Sequence, residues 1–329
     1  MKRLIVVGVC ILGLVSVVLF FRQTKQISSF IVETPRNIQK ETWTLVATGD
    51  VIPARSVNTQ TIKRNDFTWG WKYIAPVLKQ GDITVINLES PLLAKCVPTD
   101  EGMKFCGDER HVEGIIFSGV DVVSLANNHA GNYGIEGIQE TIEILEKNGL
   151  HITGTDTQPY TTTVKNIRVG FLAYNDIGYT EAGIAWADVE LMKKEIQETK
   201  EKNDVVIVSM SWGVEYEASP SARQQELAHV AVDAGADLII GNHPHWIQPT
   251  EKYKNGFITY AHGNTIFDQM WSEETKTGVI GIYTFVGKTL KTVEFVPIYI
   301  QDYGQPVLLE TTNTLKNSIK NDWVSTTIE

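Results

Sequence analysis

From Trp43 onward, short apolar runs alternate with amphipathic stretches. Runs compact enough to be buried strands are Thr44 to Thr48, Ile83 to Leu88, Val120 to Leu125, Val169 to Tyr174, Val205 to Met210 and Leu238 to Ile240. Phe257 to Tyr260, Val279 to Phe285 and Val293 to Ile300 continue the series. Between them, Ile135, Ile138, Ile142 and Leu145 recur at helical spacing, and Gly149 supplies a stop. A second helix is predicted from about Ser219 to Asp233, closed by Gly235. Strands alternating with helices predict an α/β domain, here 43–310, followed by a polar tail over 311–329.

The N-terminus follows a different pattern. Leu4 to Phe21 carries no charge, between Lys2-Arg3 and Arg22 with Lys25. As a helix at ~1.5 Å per residue it spans about 27 Å, close to a bilayer core. No small-residue cleavage pattern follows, which favours an uncleaved transmembrane anchor over 1–22, with 23–42 as a polar tether. Basic residues flank both ends, so charge does not orient it. Cys96 and Cys106 bracket a short polar loop. A disulfide there would add about 3 kcal/mol through loop closure and would imply an oxidising compartment. The competing reading, a metal-binding pair, lacks further cysteines nearby. A disulfide places the domain outside the cell membrane.

Charge narrows the function. The 329 residues carry a formal net charge of −10, which argues against a nucleic-acid-binding face. An anionic substrate would need a local positive source, and a bound cation supplies one.

Polar residues of chemical interest fall just past the apolar runs, where open α/β sheets gather their ligands. Asp50 follows Gly49, read as a sharp turn, and Glu89 follows Asn87-Leu88. Asn127, Asn128 and His129 follow Leu125-Ala126, and Glu215 follows Trp212-Gly213. His262 and Asn264 flank Gly263, and Arg55 lies shortly after Asp50, as a contact for a substrate anion or a solvated surface residue. In Gly241-Asn242-His243-Pro244-His245, Pro244 predicts an extended His243 and two imidazoles on one side of the chain. Each motif alone also reads as ordinary turn chemistry, and the set is what points to a metal site.

Together these motifs resemble the bacterial capsule-synthesis CapA (PGA_cap) family of the calcineurin-like metallophosphoesterase superfamily. Gly49-Asp50, Asn87 to Pro91, Leu125 to Ala130 with Tyr133-Gly134, Trp212 to Tyr216, Gly235 to Asp237, Gly241 to Gln248 and Gly263-Asn264 carry the likeness. It spans roughly Thr44 to Ile300, in order. The resemblance implies a four-layer α/β sandwich of two mixed sheets flanked by helices. It implies Asp50 and His245 as ligands of one metal, Glu89 as a bridge, Asn128 and His243 as ligands of a second, and His129 as proton donor to a leaving oxygen. Asn127, Glu215, His262, Asn264 and Arg55 would contact substrate or support the ligands. Manganese, iron or zinc suits such oxygen and imidazole donors, and two cations would hold the attacking and leaving oxygens of a phosphoester. Ser211 stands where the family carries a histidine, Asn242 replaces another, and Ile52 replaces a superfamily ligand. A second ion is therefore doubtful, and His245 is the safer ligand. The expected function is a surface-anchored, metal-dependent phosphoesterase of capsule, poly-γ-glutamate or exopolysaccharide biosynthesis. The alternative is a non-catalytic subunit that binds an anionic polymer and works with capsule-export partners.

Overall fold

The computed structural model describes residues 41–155, 159–309 and 325–327. The anchor at 1–22, nearly all of the tether and most of the tail lie outside the described residues. Among the described residues, no helix is long and apolar enough to cross a membrane.

In chain order the first strands are β1 (Thr42–Val51), β2 (Ile83–Leu88), β3 (Leu92–Leu93), β4 (Gly107–Asp108), β5 (Val122–Ser124), β6 (His151–Thr153), β7 (Tyr160–Val164) and β8 (Ile167–Asn175). They continue as β9 (Val205–Ser211), β10 (Leu238–Asn242), β11 (Ile247–Tyr253), β12 (Gly256–His262), β13 (Asn264–Ile266), β14 (Thr277–Val286), β15 (Thr289–Gln301), β16 (Gln305–Leu308) and β17 (Ser325–Thr327). The helices are α1 (Ser56–Arg64), α2 (Ala75–Leu78), α3 (His111–Phe117), α4 (Gly134–Lys147), α5 (Val189–Lys202), α6 (Ala222–Ala234) and α7 (Glu273–Lys276).

One sheet runs β16-β15-β14-β1-β2-β5-β6, with β13 also paired to β1 and β17 to β15. Its β1-β2-β5-β6 half is parallel and its β14 to β16 half antiparallel. The second runs β11-β12-β10-β9-β8-β7, parallel in the middle and antiparallel at both edges. The mixed α/β fold expected from the sequence is therefore present.

Side-chain alternation sets the layers. Leu45 and Ala47 of β1 join Phe171, Ile207 and Leu238 between the two sheets, while Val46 points to the other side. There Val46, Ile86 and Val123 pack against Val57 of α1, Ile115 of α3 and Leu145 of α4. Val206, Val208 and Ile239 pack against Met192 and Ile196 of α5 and Leu227 and Ala231 of α6. Each such side chain contributes about 1.5–3 kcal/mol on full burial. Helices thus cover the outer face of each sheet, and the carboxyl ends of the parallel strands are left to build the site.

Two sequence expectations change here. Gly49 marks no turn, because β1 runs through it. Its function is close approach: a Cβ would lie 1.9 Å from the Gly263 carbonyl oxygen, which accepts the Asp50 N–H at 3.0 Å. Helix α5 is absent from the sequence reading because its Lys- and Glu-rich sequence shows a weak apolar stripe, although Asp188 caps it by accepting the Leu191 N–H at 2.9 Å.

Burial also fixes an acid sensitivity. His111 on α3 is 3% exposed, lies 3.0 Å from Asn58 Oδ1, and is pushed down by burial from 6.5 to about 3. The unfolded chain takes up a proton below pH 6.5 that the folded His111 refuses until about pH 3, so stability falls as pH falls through this window. Denaturant titrations across it are expected to show a shallower pH slope for His111→Leu than for the natural chain.

Candidate functional site

The site is built around Asp50, fully buried at the end of β1. Both its oxygens accept the His243 N–H at 3.2 Å, and Oδ1 accepts Asn87 Nδ2 at 3.0 Å. His245 Nδ1 lies 3.1 Å from Asp50 Oδ2 and 2.9 Å from Asn264 Oδ1. Asn264 donates through Nδ2 to the Thr275 carbonyl at 2.9 Å, which identifies Oδ1 as an acceptor. His245 Nδ1 therefore carries a proton, shared between two oxygens. Burial pushes the Asp50 carboxyl up, but the hydrogen bond and charge of His245, with Asn87, outweigh it and hold Asp50 below its ordinary value.

These bonds reshape the histidine loop. His243 has φ 93° and His245 φ 58°, so the backbone is not extended as Pro244 suggested. Non-glycine residues at such angles are held at a cost of order 1–3 kcal/mol each. The Asp50 carboxylate, by accepting the His243 N–H, stabilises a conformation that local preference disfavours. The two rings end 5.8 Å apart.

On the other side of Asp50 the donors are open. Glu89 Oε2 accepts Asn87 Nδ2 at 3.1 Å, whereas buried Oε1 has no partner. Asn128 Oδ1, His243 Nδ1 and Ser211 Oγ are likewise buried without a partner. His243 Nδ1 stands 4.0 Å from Glu89 Oε1, a spacing that fits two donors on one cation. Burial, then the charge of Asp50, raises Glu89 well above the carboxylate range, and burial holds His243 at about 3, hence neutral. Among the described residues no three His, Cys, Asp or Glu side chains alone form a cation-holding group. The available donors are one carboxylate, one imidazole and neutral oxygens. Ile52 packs with Ala54, Phe105 and Phe267 in an apolar cluster.

His129 sits beside these groups, 6% exposed, with Nδ1 3.0 Å from Asn132 Oδ1. Asn127 ties its loop down: Oδ1 accepts the His129 and Ala130 N–H groups at 3.2 and 2.8 Å, and Nδ2 donates to Asn87 Oδ1 at 3.1 Å. Glu215 lies half-buried nearby, and its charge contributes to raising Glu89. His262 stands in the seam between sheets, with Nε2 2.8 Å from the Tyr283 hydroxyl, and burial pushes it down to about 4. Arg55 is neither solvated nor free for a substrate anion. It is 9% exposed, pairs with Asp268 through Nε and Nη2, and donates from Nη1 to the Gly102 carbonyl at 3.2 Å. Cys96 and Cys106 form a disulfide.

The sequence did not nominate Asn87, Asn132, Phe105 or Asp268. Asn87 stood within a motif, two residues before Glu89, and that alternation along β2 was the available signal. Asn132 stood in the asparagine-rich loop that also carries Asn127, Asn128 and His129, three residues past the histidine it contacts, whereas nothing local marks Phe105 or Asp268, whose contacts run across the chain.

Residues 44–269 match the family described as bacterial capsule synthesis protein PGA_cap. The chain belongs to this family. It is 31% identical over 291 residues to the capsule biosynthesis protein CapA of Bacillus anthracis, covering 82% of this chain and 70% of that one. It is 29% identical over 248 residues to the PGA biosynthesis protein CapA of Bacillus subtilis strain 168, covering 70% of this chain and 65% of the relative. Among solved structures, a novel phosphatase from Mycoplasma pneumoniae aligns over 79% of this chain and 94% of its own, with a TM-score of 0.52 and 12% identity. A hypothetical protein from Thermus thermophilus aligns over 80% of this chain and 100% of its own, with a TM-score of 0.53 and 14% identity. At these identities the likeness is one of fold.

The Arg55–Asp268 pair yields a stability prediction. Asp268→Asn leaves a buried guanidinium without its counter-charge and is expected to cost about 3 kcal/mol, read from chemical denaturation.

Proposed function

We propose that this PGA_cap protein is a membrane-anchored phosphoesterase of capsule or poly-γ-glutamate assembly, with its domain on the outer side of the membrane and one divalent cation at Glu89, Asn128 and His243. The observation that carries this reading is the set of buried, unpartnered donor atoms on those three residues, with Ser211 Oγ. Buried polar atoms without partners are uncommon, and a cation between them satisfies several at once. The Asp50–His245 pair, by contrast, is engaged with Asn87, Asn264 and the His243 backbone. Manganese, iron or zinc fits this mixed oxygen and imidazole set. The layered sheets and the likeness to a solved phosphatase support a metallophosphoesterase-type sandwich.

A cation held by Glu89, Asn128 and His243 would supply positive charge that favours the ionised form of Glu89 and polarises a phosphoester. The chain does the rest. Asp50 fixes the His243 backbone and the His245 ring. Asn132 accepts from His129 Nδ1, which leaves Nε2 for the substrate. The negative charge of a phosphoester against Nε2 favours the protonated ring, and that proton passes to the leaving oxygen.

A second reading is a polymer-binding or export subunit without turnover. It draws on Ser211 and Ile52, which stand at two positions where the family or superfamily carries ligands. In both readings the polymer context draws on the relatives' printed roles in capsule and PGA biosynthesis.

Purified full chain is expected to bind one manganese, iron or zinc ion by elemental analysis and to lose it in Glu89→Gln, Asn128→Ala and His243→Ala. His129→Ala should keep the ion while phosphodiester hydrolysis falls by about a hundredfold or more. Polymer binding with neither ion nor turnover would leave only the second reading. Outward orientation has its own check: Cys96 and Cys106 should resist thiol labelling in chain isolated without reductant.

A further inference from the structure

The polar segment between Cys96 and Cys106 ends inside the site. Residues 97–104 are exposed, yet Phe105 is 1% exposed. Its ring lies against the His129 imidazole with centroids 4.1 Å apart and planes at 26°. The Phe105 N–H donates to Asn132 Oδ1 at 2.6 Å, the same oxygen that lies 3.0 Å from His129 Nδ1. Phe267 meets the Phe105 ring edge-on at 5.8 Å, and the Arg55 guanidinium stands 5.0 Å from its centroid. The segment is tied down by Arg55 Nη1 on the Gly102 carbonyl, by Thr59 Oγ1 on Asp100 at 2.6 Å, and by the disulfide.

We propose that Phe105, held in place by the Cys96–Cys106 bridge, is the positioning residue for His129. This rests on the reading that His129 acts on a phosphoester. Stacking fixes the plane of the imidazole, and the shared Asn132 oxygen fixes which nitrogen carries the proton. Residues 97–104, Val97 and Met103 included, are exposed and bury little of their own surface, so the covalent bridge limits the wandering of the segment that carries Phe105. The bridge thereby ties the geometry of the reacting imidazole to an oxidising surrounding.

The test uses full chain labelled with ¹⁵N on histidine, in natural form, as Phe105→Leu, and as Cys96→Ser with Cys106→Ser. Leucine fills much of the space without offering a ring face, so it separates stacking from bulk packing. The natural chain is expected to show one protonated-Nδ1 tautomer for His129, Phe105→Leu a signal broadened by a freer ring, and the double cysteine variant a mixed or broadened signal, all at unchanged cation content. Hydrolysis of an alkyl phosphodiester, whose leaving oxygen needs a proton, should fall by about tenfold to a hundredfold. Hydrolysis of a nitrophenyl ester, whose leaving group needs none, should fall by about threefold at most. An unchanged tautomer signal with an unchanged alkyl-to-aryl ratio in both variants overturns the proposal, as does an equal loss on both esters. If the natural chain cleaves neither ester, the phosphoesterase reading fails, and persistence of the natural tautomer signal in both variants then overturns the positioning role by itself.

Discussion

The site depends on one carboxylate that joins two sheets. Asp50 ends β1 of one sheet and accepts the backbone N–H of His243, which follows β10 of the other. That bond, with the Tyr216 N–H donating to the Pro244 carbonyl at 2.9 Å, holds the His243-Pro244-His245 loop at positive φ against the extended conformation that Pro244 favours before it. The same carboxylate meets the His245 ring and, through Asn87, is linked to Glu89. A buried charge engaged by several donors is stable in its ionised form, and those donors are the loops from which the site is made.

Two buried carboxyls that share Asn87 cannot have equal environments. Asp50 faces an imidazole and a backbone N–H, while Glu89 faces Asp50 and a side free of protein donors. Their proton affinities separate accordingly, Asp50 low and Glu89 high. The asymmetry makes Glu89 responsive to a cation, because positive charge beside it would offset the burial and the neighbouring carboxylate charges that raise its affinity. The same contrast runs through the site: Glu89, Asn128 and His243 carry unpartnered atoms, while His245 is engaged by Asp50 and Asn264.

Much of the fold was legible because apolar runs and strand ends are local signals. β2 matches its predicted range, while β9, β10 and β12 extend the predicted runs by one to three residues. Edge strands β7 and β11 were missed because half of each faces water and their sequences are rich in threonine or polar residues. For the site, residue type at strand ends brought out Asp50, Glu89, Asn128 and the two histidines. Hydrogen-bond satisfaction was not legible: nothing in the sequence told that Glu89, Asn128, His243 and Ser211 keep unpartnered atoms. Which acceptors are already engaged depends on Asn87 and Asn264, whose partners lie far away in sequence.

The apolar cluster of Ile52, Ala54, Phe105 and Phe267 gives these departures a common physical sense. Ile52 cannot donate to a cation, and its apolar surface packs with Phe105 and Phe267. Phe267 lies 5.3 Å from the His245 ring, and Phe105 lies against His129. Through these two rings the cluster packs against two imidazoles of the site. Phe105 reaches that cluster from a segment whose residues 97–104 are exposed and whose ends are covalently joined. The apolar cluster and the disulfide-closed segment thus belong to one arrangement, which holds apolar rings beside His129 and His245.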